Sequence, residues 1–100
     1  MKFWLPFSST SEVVQAFDLR FKSASLPAAV SILLGPGPDS FGVQIRKGRT
    51  SVLTFLCHPS EAKTTVELVD QSVSVFHKPF MGDVRDWIDH HVKSMGGDIL

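Results

Sequence analysis

Apolar side chains recur along this chain with two different periods, and the changes between them mark out the elements. Residues 2 to 8, KFWLPFS, form a short apolar run interrupted by Pro6, the profile of a first strand. Ser9 with Glu12 three positions later makes a capping box, which Thr10 could shift by one residue; each side chain satisfies a backbone N–H left free at a helix start. Val13, Val14, Phe17 and Phe21 follow at spacings of three and four, so the first helix has one apolar face. It ends by SASLP, because the residue before Pro27 avoids helical geometry.

The next period is two. AAVSILL is a strand stopped by the loop GPGPDS, and Phe41, Val43 and Ile45 alternate with Gly42, Gln44 and Arg46 as a half-buried strand. RKGR predicts a tight turn through Gly48, with TSVLTFLCH returning as its antiparallel partner and Leu53, Phe55 and Cys57 on one face. PSEAK reads as a connection or the opening of a short helix. In TTVELVDQSVSVFH the apolar parity changes from Val66 and Leu68 to Val73 and Val75. A one-residue slip turns every side chain to the other face, so a bulge or a turn belongs near Asp70 and Gln71.

After Pro79 the period returns to 3.6. Phe80, Val84, Trp87, Ile88, His91 and Met95 form one stripe, with Asp83, Asp86, Asp89, His90 and Lys93 opposite and Gly96 and Gly97 as the stop. The pattern predicts an α+β fold in the order β-α-β-β-β-(β)-α: an antiparallel sheet of four to six strands with two helices packed on one face. Residues 1–97 would form a single domain, and 98–100 a disordered tail.

Composition narrows the function classes. Ten basic residues balance ten acidic ones, so no global field draws the chain to nucleic acid or to an anionic membrane, and neither is expected as a partner. No stretch approaches the roughly 20 apolar residues of a membrane span, and the N-terminal run is too short for a secretory signal. The single cysteine, Cys57, excludes an internal disulfide and points to a cytoplasmic setting.

The chemistry-bearing candidates are sparse. In DWIDHHVKSM, His90 and His91 are neighbours on a helix and point about 100° apart, so one ion cannot easily take both. Asp86 and His90 could supply half a metal site, but spacing places no third ligand from His58, His77 or Asp83. Cys57 and His58 fall on opposite faces of a strand and cannot act as nucleophile and base. Pro36 and Pro38 remove donors that a phosphate loop would need in GPGPDSFG. The basic tip Arg46, Lys47 and Arg49 is an ordinary solvated turn. No metal and no cofactor is expected.

The capped FSSTSEVVQAF after an opening strand, the antiparallel sheet and the closing DVRDWIDHHVKSM together resemble the helix-grip family of START-like and polyketide-cyclase-like domains. That resemblance implies a hydrophobic ligand held between helix and sheet. The first functional expectation is accordingly a non-catalytic domain that binds a hydrophobic small molecule or peptide. Its cleft would lie between Trp87, Ile88, His91 and Met95 on the helix and Phe41, Val43, Phe55 and Val75 on the strands. The second is a homo-oligomer that pairs through its open sheet face or an edge. An enzyme using His91, His90 or His58 ranks third, because no constellation has catalytic geometry.

Overall fold

A computed structural model of the chain describes every residue except 24–28, and Phe80 by its backbone alone. The predicted helix stop at SASLP beyond Ser23 and the Phe80 side chain of the predicted stripe lie outside the described residues. The elements are β1 (Lys2–Leu5), α1 (Thr10–Ser23), β2 (Ala29–Leu34), β3 (Ser40–Lys47), β4 (Arg49–Pro59), β5 (Thr64–Ser72), a single 3-10 turn (Lys78–Phe80), α2 (Met81–Ser94) and β6 (Asp98–Ile99). The strands form one six-stranded sheet in the order β2-β3-β4-β5-β1-β6, antiparallel at every pairing.

The α+β class and the antiparallel sheet agree with the sequence. Local chemistry explains why the helices begin and end where they do. The Ser9 hydroxyl accepts the Glu12 backbone N–H at 3.2 Å, while the Glu12 carboxylate accepts the Ser8 backbone N–H at 3.2 Å. The box therefore closes one residue further out than its usual form. At the other end of the chain, Gly96 adopts φ +90°, and the Gly96 and Gly97 amides donate to Lys93 and Val92 carbonyls at 3.1 and 3.0 Å. These two bonds are a Schellman stop, which needs a residue free to enter the left-handed region.

Both helices cover the same sheet face. Val13, Phe17 and Phe21 of α1 and Val84, Ile88 and Val92 of α2 are buried with Phe3, Leu5, Phe41, Val43, Ile45, Leu53, Phe55, Cys57 and Val66. Phenyl rings link the layers: Phe17 lies 6.0 Å from Phe3 and 6.2 Å from Phe41, and Phe41 stacks on Phe55 at 5.3 Å. Contacts of this kind contribute about 0.5–1.5 kcal/mol each beyond the area they bury.

Three local expectations are corrected and two open alternatives are decided. The first strand is shorter than residues 2 to 8, ending at Leu5. The parity slip is a bulge and not a turn, at the predicted place: Thr54 pairs with Asp70 and Phe55 with Leu68, leaving Val69, the neighbour of Asp70, as the extra residue. The strand then ends at Ser72, so Val73 and Val75 lie beyond it. Finally, the tail is a strand: Ile99 pairs with Phe3 and Asp98 with Trp4, and the Leu100 amide donates to the Lys2 carbonyl at 2.9 Å. PSEAK holds no helix; Ser60 and Lys63 close it as a turn.

Candidate functional site

The predicted cleft is filled by protein. Phe41, Val43, Phe55 and Ile88 are all buried, and the space they share with Phe3, Phe17 and Phe21 has no room for a water molecule. The rings of α1 occupy the volume that the sequence reading left to a ligand. Val75 is displaced altogether: it sits in the loop after β5 with 66% of its surface exposed, so it lines no face of the sheet.

Trp87, His91 and Met95 remain together, at the border of the α2 stripe and half-buried. Trp87 stacks on Phe21 at 4.6 Å and touches the His91 ring at 4.2 Å. His91 bonds across to α1 and not to the sheet: Arg20 Nη1 lies 3.1 Å from His91 Nδ1. Arginine has only donors, so Nδ1 accepts and the neutral ring carries its proton on Nε2. Burial first, then Arg20 and His90, hold the His91 pKa below its ordinary value. Beside this pair runs an open groove of about 480 Å³ lined by Phe7, Ala16, Leu19, Arg20, Ser23 and Met95.

A second polar node is fully buried. Ser51 and His77 are both 0% exposed, with Ser51 Oγ 2.6 Å from His77 Nδ1. His77 Nε2–H donates to the Lys47 carbonyl at 3.2 Å, so Nδ1 is the acceptor for the Ser51 hydroxyl. Ser51 Oγ in turn accepts the Ser74 amide at 2.8 Å. Enclosed and satisfied, the node ties the loop at 73–77 to the β3–β4 hairpin. Its chemistry is that of a latch, since no substrate atom can reach a serine buried beneath the chain.

Cys57 is buried and His58 exposed, on opposite faces of β4. Burial pushes the Cys57 thiol up to about 11, which removes the thiolate that reactivity needs. Among the described residues, no three His, Cys, Asp or Glu side chains gather as a metal-ligand set.

The surface feature with the clearest physical signature is an edge of the sheet. β2, Ala29–Leu34, is an outermost strand of sequence AVSILL without a charged residue or proline. Leu34 is 99% exposed and Leu33 36% exposed. One side of β2 pairs with β3 from Ala29↔Arg46 to Leu34↔Phe41, which leaves the backbone polar groups on its other side without a strand partner among the described residues.

Reasoning from the sequence missed Arg20 and Ser51, and weighed His77 only as a metal ligand. Arg20 had a local signal, since it lies one turn beyond Ala16 and three residues beyond Phe17, flanking the apolar face. Ser51 and His77 are 26 residues apart, and no periodicity joins them. Set against known proteins, the chain matches no family model, no curated protein and no solved structure.

Proposed function

We propose that this protein is a non-catalytic interaction domain that associates with a second copy of itself by adding strand to strand at β2. The observation that carries the reading is the uncharged six-residue edge with Leu34 99% exposed. Edges of this kind are ordinarily blunted by lysine, proline, a bulge or a cover, and β2 holds no lysine, proline or bulge within its length.

Geometry restricts how two copies meet. Residues opposite each other in an antiparallel pair share a face. A two-fold axis therefore passes through a residue of β2 and not between two. Centred on Ile32, it sets Val30 against Leu34 of the second copy and Ser31 against Leu33, giving the exposed leucines apolar or neutral neighbours. Centred on Ser31, it leaves Leu34 with no β2 residue opposite. The first register continues the sheet with all helices on one side.

A six-residue strand pair is smaller than the roughly 800 Å² per partner of a stable interface. The association is therefore weak and concentration-dependent. Sedimentation velocity over a concentration series should show a monomer–dimer equilibrium, and Leu34→Lys should shift it to monomer. A sedimentation coefficient fixed at the monomer value up to the solubility limit overturns the reading.

A second reading rests on the groove beside Arg20 and His91. Its apolar walls and the guanidinium at one side suit an amphiphile with a small anionic head, the hydrophobic-ligand function transferred from the filled cleft to the helix crossing. A thermal shift with medium-chain carboxylates that disappears in Arg20→Gln supports it; no shift in the parent protein removes it.

A further inference from the structure

The balanced net charge conceals a polarised surface. From residue 40 to 60 and from 71 to 82 the chain contains no Asp or Glu, yet those segments hold Arg46, Lys47, Arg49 and Lys78. The fold brings the two segments together at one end of the sheet. The hairpin turns at Gly48, whose φ of +72° suits glycine, and leaves residues 46–50 exposed. The buried Ser51–His77 latch pins the other segment against it.

Two apolar side chains of the second segment stand in water. Val75 is 66% and Phe76 64% exposed, and the Arg49 guanidinium carbon lies 5.2 Å from the centre of the Phe76 ring. His77, on the next residue, is buried and bonded to Ser51 and to the Lys47 carbonyl. A buried polar network thus holds the segment that carries this exposed apolar pair, with the Arg49 guanidinium against one of the two side chains.

We infer that this tip is a docking surface for an anionic lipid bilayer. The match is one of chemistry: Val75 and Phe76 enter the boundary between headgroups and acyl chains, while Arg49 and Lys78 stay at the phosphates. Charge complementarity selects the anionic leaflet. A single-stranded nucleic acid would call for a series of stacking rings, and this patch holds one described phenyl ring, already covered on one side by Arg49. The nearest acid along the chain on the α2 side is Asp83, in the first turn of that helix. The expectation of no membrane partner weighed net charge and the lack of a spanning apolar stretch, neither of which registers this segregation. The site is independent of the β2 edge.

Vesicle co-sedimentation tests the inference, with phosphatidylcholine alone and with phosphatidylserine added. The Leu34→Lys protein serves as the parent, so that self-association plays no part. The parent should bind the anionic vesicles and release them as salt is raised. Phe76→Ser should weaken binding about tenfold through lost apolar burial, and Arg49→Gln about fivefold through one lost cation. Both side chains are exposed, so thermal melts should match the parent. The inference is overturned by an absence of binding, by equal binding to neutral vesicles, by a Phe76→Ser protein that binds like its parent, or by displacement from vesicles by single-stranded RNA.

Discussion

The two edges of the sheet are built oppositely. At one end, β6 is two residues long, carries Asp98 and closes over β1; at the other, β2 runs six residues with no charge. The short edge offers almost no backbone to a newcomer and places a carboxylate beside what it does offer. The long edge offers an extended apolar template. Strand propensity alone does not separate them, since each holds an isoleucine, Ile32 in β2 and Ile99 in β6. What separates them is length, charge and the way each is anchored, the devices by which sheets avoid or invite further strands.

The largest expected effect comes from breaking the closed edge. A Cβ at Gly97 would meet the Trp4 carbonyl and press on the Leu5 side chain, and backbone cannot give way as a flexible side chain can. Gly97→Val should lower unfolding free energy by about 3 kcal/mol in urea melts and raise amide exchange along β1. Unchanged stability would mean that β6 does not hold that edge.

Removing the latch should cost somewhat less and spare both edges. Ser51→Ala leaves the buried His77 ring without its hydroxyl partner, a loss of about 2 kcal/mol. Exchange should rise most at the Ser74 amide, which donates to the same oxygen. A loss confined to β1 or β2 would contradict the assignment of the node to the 73–77 loop.

The open edge responds to charge and hardly to stability. Leu34→Lys should leave the monomer within about 0.5 kcal/mol of the parent, because the side chain is already in water. It should weaken self-association at least about tenfold, roughly 1.4 kcal/mol. Equal association constants for the two proteins would place the contact elsewhere.

Acid is the mildest lever. His91 is harder to protonate in the fold than in the unfolded chain, so below its ordinary value of 6.5 the unfolded state binds the extra proton more readily. Stability is undiminished above that pH and declines as pH falls through it. His91→Asn should flatten this part of the pH–stability curve in thermal melts while leaving the behaviour of both edges unchanged; an identical slope in parent and variant would assign the titration to another group.

Much of the local structure was legible in residue order. Ser9 and Glu12 mark the start of α1, Gly48 the hairpin turn and Gly96 with Gly97 the end of α2. The stripe of α2 was placed nearly correctly, although Val92 belongs at its centre and Trp87, His91 and Met95 at its border. The parity change after Leu68 announced an irregularity without saying that Val69 is its extra residue. The candidate site was much less legible. The cleft was drawn between true core positions without weighing Phe17 and Phe21 of α1, which fill it.

The sequence by itself determined what short-range physics controls: periods of two and 3.6, caps that satisfy free amides, and glycines where a left-handed turn is required. The tertiary structure alone decided which strand ends as the open edge, which histidine is sealed and which faces arginine, and that Arg49 meets Phe76 at the hairpin tip. Those outcomes depend on groups far apart in the chain meeting in one place. Neither a local period nor a charge total carries that information.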